Sequence, residues 1–205
     1  MIRTATAKDL DEIVAVHCTC FPNSFTTVMG KHLLKCYYAE FMENNRELFL
    51  VSESNENPSK IDGFCMGYYG ESPDGVERFI KRNFVRFSLR VLWLLLTFNG
   101  LAWKRAASVL RRKNDVIVVN DMLRSFVRKD SAELLSICVL KDKRGTGLSS
   151  LLVDEYEQVL QEQRRRVCVL SVLADNERAI RFYEKKGFTL VKKIGSSSLV
   201  YAKTL

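Results

Sequence analysis

Apolar and polar positions alternate with two different periods along the chain, and these periods separate strands from helices. A period of two predicts strands at Ile2–Thr6, Glu47–Glu53 and Ile61–Tyr69. A helical spacing of apolar residues predicts one helix from Leu10 to Phe21 and a second over 28–44. The first third of the chain is therefore predicted to run β-α-α-β-β.

The last third alternates apolar strands with amphipathic helices, as in a mixed α/β protein. The predicted strands are Ala132–Val139, Arg166–Val172, Thr189–Ile194 and Leu199–Thr204, and the predicted helices are Leu148–Gln163 and Asn176–Lys186. The first two of these strands flank a helix, which predicts a parallel pair with a right-handed crossover. We expect one domain over 1–205, with a central mixed sheet of about seven strands flanked by helices.

Residues 71–131 interrupt this order and carry the positive charge of the chain. Within them, 77–113 contains ten Lys or Arg and one Glu, whereas the whole chain has a net charge of +8. Four arginines recur at every fourth position and predict a basic stripe along a helix. They are Arg78, Arg82, Arg86 and Arg90. A second helix is predicted after Asn99-Gly100, and 116–122 is a candidate strand, so the segment is expected to be a helical insertion between the third and fourth strands.

Three interpretations of the insertion stay open. Basic residues, aromatics and an apolar face suit a helix in a membrane interface, with peripheral contact to an anionic membrane through 77–113. The alternative is a helical hairpin packed on the rest of the chain with its arginines solvated. Nucleic-acid binding is disfavoured because the aromatics lie in an aliphatic run and not on an exposed platform.

A basic, glycine-punctuated turn joins the strand ending at Val139 to the next helix. It contains Arg144, Gly145, Thr146, Gly147, Leu148 and Ser149. A helix N-terminus offers unpaired N–H groups and about half a positive charge. The two glycines let the main chain approach a ligand, and Arg144 can supply charge to a phosphate. The turn therefore predicts an anion site, although an ordinary strand-to-helix turn is the alternative.

A second stretch, 176–188, combines a helix N-cap at Asn176 with a glycine terminator at Gly187. Together the two stretches resemble the acetyl-CoA-binding motifs of the GNAT superfamily of acyl-CoA N-acyltransferases. The matching residues are Arg144, Gly147 and Ser149 in the first motif, then Asn176, Ala179, Tyr183, Gly187 and Phe188 in the second. Ser149 departs from the family's Gly or Ala, but it is still small enough to leave room for a pyrophosphate.

The resemblance implies the GNAT fold, acetyl-CoA as cosubstrate, and acetyl transfer to a primary amine by direct attack in a ternary complex. It implies that the turn from Arg144 to Ser149 binds the pyrophosphate. It further implies that backbone at Cys138 and Val139 binds the pantetheine arm, and that Asn176 bonds an amide of that arm. Cys138 itself is expected to pack and not to act as a nucleophile.

Two residues are the candidate acid and base. Tyr183 matches the family's general acid, which protonates the leaving thiolate, and amphipathic packing is its alternative role. Glu133 and Val139 match the Glu-x-x-x-x-x-Val strand of the histone-acetylating branch, where the glutamate is the base. The alternative for Glu133 is an edge position beside solvent.

The acceptor is open at this stage. The segment Cys20–Phe25, together with the helix that follows it, is similar to bacterial GNAT proteins encoded with surface-polysaccharide genes, which favours an amino sugar or other small amine. The alternatives are acetylation of a protein lysine or N-terminus, and a non-catalytic, CoA-binding regulatory domain.

The cysteines and the lengths of the apolar runs indicate the cellular compartment of the protein, and the histidines bear on whether it binds a metal. The six cysteines are scattered without a CxxC pair, which predicts reduced thiols in the cytoplasm. His17 and His32 lack metal-ligand spacing, so no metal is expected. The opening residues show no signal-peptide core, and no apolar run approaches the roughly 20 residues of a membrane span. We therefore expect a cytoplasmic protein, with the inner membrane face as a site of peripheral contact.

Overall fold

The computed structural model describes residues 1–43, 47–69, 74–103, 116–118, 130–195 and 197–205. The strands are β1 Ile2–Thr4, β2 Glu47–Glu53, β3 Ile61–Tyr69, β4 Val116–Val118, β5 Ser131–Val139, β6 Val167–Leu173, β7 Thr189–Ile194 and β8 Ser198–Thr204. The helices are α1 Leu10–Cys20, α2 Phe25–Val28, α3 Lys31–Glu40, α4 Asp74–Leu96, α5 Leu148–Glu162 and α6 Glu177–Lys185. A further helix begins at Gly100 and is described as far as Trp103.

All eight described strands form one mixed sheet in the order β1-β2-β3-β5-β6-β8-β7-β4. Every neighbouring pair is antiparallel except β5 and β6, which are parallel and are joined through α5 as predicted. The predicted sheet of about seven strands is confirmed. Its eighth member, β4, comes from the insertion and pairs with β7 at the far edge.

Two hydrophobic layers cover the two faces of the sheet. On one face, α5 and α6 contribute buried side chains such as Leu152, Tyr156 and Tyr183. On the other face, α1 and α3 contribute Ile13 and Tyr38, together with further apolar residues. The amphipathic spacing of these helices follows from this arrangement, since each helix buries one side against the sheet.

The helix predicted over 28–44 is wrong in its bounds. The chain instead forms α2 and α3, which are separated at Gly30, where φ is +100°. A residue with a side chain rarely adopts this conformation, so the glycine ends one helix and starts the next. Ser24 caps α2 by accepting a hydrogen bond from the Thr27 N–H at 3.1 Å.

The predicted arginine stripe exists on α4 and bonds to the rest of the chain, while Arg82 and Arg86 stay exposed to solvent. Arg78 pairs with Glu47 at 2.7 Å, and Arg82 pairs with Glu40 at 3.1 Å. The Glu47 side chain is only 1 % exposed, and a carboxylate so deeply buried requires a counter-charge. The carboxylates of α3 and β2 therefore draw the stripe toward the body, and only part of it, at Arg82 and Arg86, is solvated as expected.

The rest of the insertion is described only in part. Of the candidate strand 116–122, Val116–Val118 forms β4, and the remainder lies outside the described residues. The predicted basic end of the second helix, 111–113, also lies outside them. Among the described helices, none combines the length and apolarity needed to cross a bilayer. The single domain over 1–205 stays a prediction.

Candidate active site

The central parallel pair of the sheet opens into a cleft. Ser131–Leu134 pairs with Val167–Leu170, and beyond these residues β5 and β6 separate. On its other side β5 has a bulge between Leu134 and Ser136, opposite Met66 and Gly67 of β3. The bulge and the separation of the strands leave backbone of β5 facing open space.

Gly67 is required at this bulge. A Cβ on Gly67 would lie 2.0 Å from the carbonyl oxygen of Glu133 and 2.1 Å from the Tyr156 hydroxyl oxygen. Tyr156 is fully buried in α5, and its hydroxyl donates to that same carbonyl at 2.9 Å. The close approach of β3 therefore holds the bend of β5 just before the strands part.

The cleft has a volume of about 540 Å³. Its walls come from the separated parts of β5 and β6, from the first half of α6, and from the end of α1. They include Leu134–Val139, Ser171–Leu173, Asn176, Ala179, Phe182 and Tyr183, with Cys20, Phe21, Arg144 and Ser149 at the turn side.

The predicted anion turn lies at the end of the cleft, after β5. Gly145 and Gly147 have φ of +84° and +88°, and a Cβ on either would meet no atom within 4 Å. In the described chain the N–H groups of 145–149 donate no hydrogen bond, whereas those of Ser150 and Leu151 donate to the Gly147 carbonyl. These unpaired donors at the N-terminus of α5 form a concave site for an anion.

Arg144 connects this turn to the cleft. Its Nε donates to the Val139 carbonyl oxygen at 3.2 Å, so the guanidinium lies over the end of β5. Ser149, one turn into α5, also lines the cleft. Arg144, which would supply positive charge to the ligand, and Ser149, whose small size would leave room for it, therefore line the same cleft.

Tyr183 forms part of the cleft wall from α6. Asn176 starts this helix, and its side-chain oxygen accepts a hydrogen bond from the Ala179 N–H at 3.2 Å. Seven residues later Tyr183 is 8 % exposed and packs edge-on against Phe182 and Phe188. Burial raises the pKa of Tyr183 well above that of a free phenol, so its hydroxyl holds its proton.

Glu133 is adjacent to the cleft in sequence but does not line it. It precedes Leu134, the first wall residue of β5, and its carboxylate accepts a hydrogen bond from the Tyr68 hydroxyl at 2.7 Å. Tyr68 is its register partner on β3, so both side chains project from the same face of the sheet. Burial, followed by the hydrogen bond to Glu133, raises the pKa of Tyr68.

The structure brings most of the predicted site residues together. Those that line the cleft are Cys138, Val139, Arg144, Ser149, Asn176 and Tyr183. Gly145, Thr146, Gly147 and Leu148 form the adjoining turn, and Glu133 lies beyond the opposite end of the wall. The sequence analysis missed Tyr68, and it named Cys20 and Phe21 only as part of the segment Cys20–Phe25; all three reach the site through pairing and packing.

Cys20 is a thiol of the cleft wall with a lowered pKa. Its Sγ donates to the Val139 carbonyl oxygen at 3.4 Å when protonated. A hydrogen bond from Cys138, and to a smaller extent the positive charge of Arg144, lower the pKa of Cys20 to about 7 despite partial burial. In contrast, burial raises the pKa of Cys138, in agreement with its predicted packing role.

No histidine is among the described residues that line the cleft. His17 is buried on α1, where Tyr38 lies 2.5 Å from its Nδ1 and Thr26 lies 3.0 Å from its Nε2. Burial lowers the pKa of His17 to about 4, so the imidazole is a neutral packed group. Among the described residues, no cluster of three or more potential ligands could hold a metal ion.

Comparison with known proteins agrees with this geometry. Residues 112–194, which contain both predicted motifs, match the family model described as FR47-like protein. No curated protein sequence matches the chain significantly.

Solved structures share the fold over its full length. The N-acetyltransferase PaiA from Thermoplasma acidophilum, solved in complex with coenzyme A, aligns with a TM-score of 0.61 and 15% identity, covering 100% of this chain and 98% of its own. The ribosomal-protein-S18-alanine N-acetyltransferase from Escherichia coli aligns with a TM-score of 0.57 and 14% identity, and the alignment covers 100% of this chain and 92% of that enzyme. NAA60 from Arabidopsis thaliana, in complex with a bisubstrate analogue, aligns with a TM-score of 0.58 and 13% identity, and the alignment covers 100% of this chain and 98% of NAA60.

The two motifs of the sequence, the FR47-like segment that contains them, and the parted parallel strands that end on an anion turn all agree. Over 112–194 the chain matches the FR47-like family model, and its fold is that of the solved N-acetyltransferases.

Proposed function

We propose that the protein transfers the acetyl group of acetyl-CoA to a primary amine by direct attack in a ternary complex. The observation that carries the proposal is the cleft itself, which ends on the anion turn at 144–149 and runs along β5 toward Glu133. Glu133 and Val139 are six residues apart, so about 20 Å of strand separates the turn from the carboxylate. This is a length suited to an extended pantetheine arm.

The residues present fit acetyl-CoA at both ends of the cleft. The unpaired N–H groups of 145–149 and the Arg144 guanidinium would bind the pyrophosphate. Along β5, backbone that no longer pairs with β6 would bond the amides of the arm in the manner of an added strand. Asn176 already accepts a backbone hydrogen bond at the start of α6, so its contact with the arm would compete with this cap.

The same backbone would polarise the thioester. Main-chain N–H groups of β5 at the Glu133 end of the cleft, beside the bulge between Leu134 and Ser136, would lie next to the thioester carbonyl, where apolar side chains form part of the wall. Donors aimed at a developing oxyanion are worth most in such surroundings. They therefore favour attack on the carbonyl carbon over simple binding of the ligand.

Proton transfer would fall to Glu133 and Tyr183. The acceptor ammonium loses a proton to the Glu133 carboxylate, directly or through water, and the free amine then attacks the thioester carbon. The carbon–sulfur bond breaks and the departing coenzyme A thiolate takes the proton of the buried Tyr183 hydroxyl. The proton that the attacking nitrogen loses as the amide forms then restores the tyrosine. The products are an N-acetylated amine and coenzyme A, and no covalent enzyme intermediate is needed.

The acceptor class can be tested with a panel of amines, with amino sugars as the first candidates. Coenzyme A release would be followed by chromatography, because the chain's own six free thiols would react with a thiol dye. We expect release with at least one amino sugar or other small amine, and Gly147→Asp provides a matched protein with an impaired anion turn. Release only with peptides would favour protein acetylation. Coenzyme A binding without release on any amine would leave the regulatory alternative and refute the proposed activity.

A further inference from the structure

The outward side of α4 is an exposed apolar surface. In its second half the helix turns Val85, Leu89, Leu92 and Leu96 to solvent, and these side chains are between 53% and 68% exposed. Phe84 and Trp93 flank this row at 62% and 52%. Just beyond the helix, Phe98 is 83% exposed and Trp103 is 51% exposed. We call these eight residues the α4 outer face.

The orientation of the α4 outer face is fixed from behind. Phe79 and Leu94 pack against Met29 and Leu33 of the α2–α3 region, and the arginine stripe bonds to the same region. Arg90, the last member of the stripe, donates to the Val28 carbonyl oxygen at 2.8 Å. The helix therefore cannot roll its apolar side inward without breaking these contacts, and the outer face is a property of the fold.

The rim of this surface is positively charged. In the described structure, Arg86 and Arg90 contact no carboxylate: Arg86 bonds to His32, and Arg90 lies 4.5 Å above the Trp93 ring. Lys81, one turn before the face, is 73 % exposed and pairs only with the neighbouring Glu77. The α4 outer face is thus apolar at its centre and cationic around it.

This combination selects among the surfaces that could cover it. A second copy of the chain, related by a two-fold axis, would place the cationic rim against itself, which opposes association. A lipid bilayer accepts apolar side chains below its headgroups and tryptophans at the headgroup level. Anionic headgroups would also neutralise Arg86, Arg90 and Lys81 at the rim.

We propose that the α4 outer face docks the protein on an anionic lipid bilayer, with the apolar row inserted at the headgroup boundary and the rim cations against the headgroups. In the arginine stripe, Arg78 and Arg82 fix the helix to the body through carboxylates, and Arg86 and Arg90 contribute to the rim. The inference is independent of the acetyl-transfer proposal, since it rests on no residue of the cleft and its test contains no acetyl-CoA.

Both tryptophans of the chain, Trp93 and Trp103, belong to the α4 outer face, so tryptophan fluorescence excited selectively over tyrosine reports on this surface. The full chain would be titrated with vesicles of equimolar phosphatidylglycerol and phosphatidylcholine, and with pure phosphatidylcholine. We expect a blue shift and co-sedimentation with the anionic vesicles. Partitioning should weaken on the order of fivefold for each rim cation that salt screens as ionic strength is raised.

Matched variants distinguish binding through the α4 outer face from non-specific adsorption of the protein to vesicles. Leu89→Glu combined with Leu92→Glu should weaken vesicle binding by about 100-fold, since each change replaces an exposed leucine that would insert into the bilayer. Leu151→Glu serves as the control, because Leu151 is an exposed leucine of α5, 57% accessible, on another side of the molecule. It should bind vesicles like the parent chain.

Each other result overturns the inference. Binding that survives the double change, or that is equally strong on neutral vesicles, would place the contact elsewhere or remove the role of charge. No binding to either vesicle would exclude the bilayer. If sedimentation equilibrium then showed a dimer that the double change dissociates, the α4 outer face would be an interface between two copies.

Discussion

Gly147 is the position at which the anion turn can be tested most directly. Its φ of +88° places it in the left-handed region, and no atom lies within 4 Å of the site of a Cβ. A side chain therefore meets a strained backbone but no steric block, and the cost to stability should be about 1–2 kcal/mol. Gly147→Ala and Gly147→Asp should both fold, and both carry this cost.

The two variants differ in charge. An aspartate at Gly147 would stand at the N-terminus of α5 beside the pyrophosphate, and two unit charges about 4 Å apart repel by about 4 kcal/mol at an effective dielectric constant of 20. Solvent at this exposed turn screens part of that energy. We expect about 3 kcal/mol, or about 100-fold weaker coenzyme A binding for Gly147→Asp, but less than about tenfold weaker binding for Gly147→Ala.

Isothermal titration calorimetry with coenzyme A measures the affinity, and thermal unfolding confirms that the variants fold. Gly195→Asp is the matched control, because Gly195 also has a positive φ of +56° and open space, but lies in the turn between β7 and β8. It should bind coenzyme A like the parent chain. An unchanged affinity in folded Gly147→Asp, or an equal loss in Gly195→Asp, would refute the assignment of the anion turn.

Three further predictions address the rest of the site. Tyr183→Phe should lower kcat by roughly 100-fold or more with little change in KM for acetyl-CoA, and Glu133→Gln should remove the acidic limb of the pH–rate profile. Wild-type kinetics in both variants would exclude the acid and base roles. The rate of alkylation of Cys20 should rise with pH around a midpoint of about 7, because its thiolate forms above that pKa, and bound coenzyme A should slow the reaction. Peptide mass spectrometry identifies the modified thiol, and an alkylation rate that coenzyme A leaves unchanged would place Cys20 outside the occupied cleft. Gly67→Ala should lower the free energy of unfolding by about 2–4 kcal/mol in denaturant titration, since its Cβ would meet the backbone carbonyl oxygen of Glu133 at 2.0 Å. A decrease of less than about 0.5 kcal/mol would show that the bulge relaxes freely.

The sequence predicted the parts of the site that are built from neighbours along the chain. The anion turn depends on two glycines, a following helix and an arginine within a few residues, so its conformation is encoded locally. The same holds for α6, whose cap at Asn176 and stop at Gly187 set the helix that carries Tyr183. The bounds of β2 and β3 were likewise predicted exactly as the strands form, because alternation of apolar residues is a local signal.

The tertiary structure decided which distant groups meet. Tyr68 reaches Glu133 across 65 residues of chain, and Cys20 reaches Val139 across 119. Neither contact has a sequence pattern, because each depends on strand register or helix packing and not on spacing. The direction of the arginine stripe has the same origin. Its period of four predicted a single helix face, but only the carboxylates of Glu40 and Glu47, brought beside α4 by folding, drew that face toward the body and left the apolar face of α4 exposed.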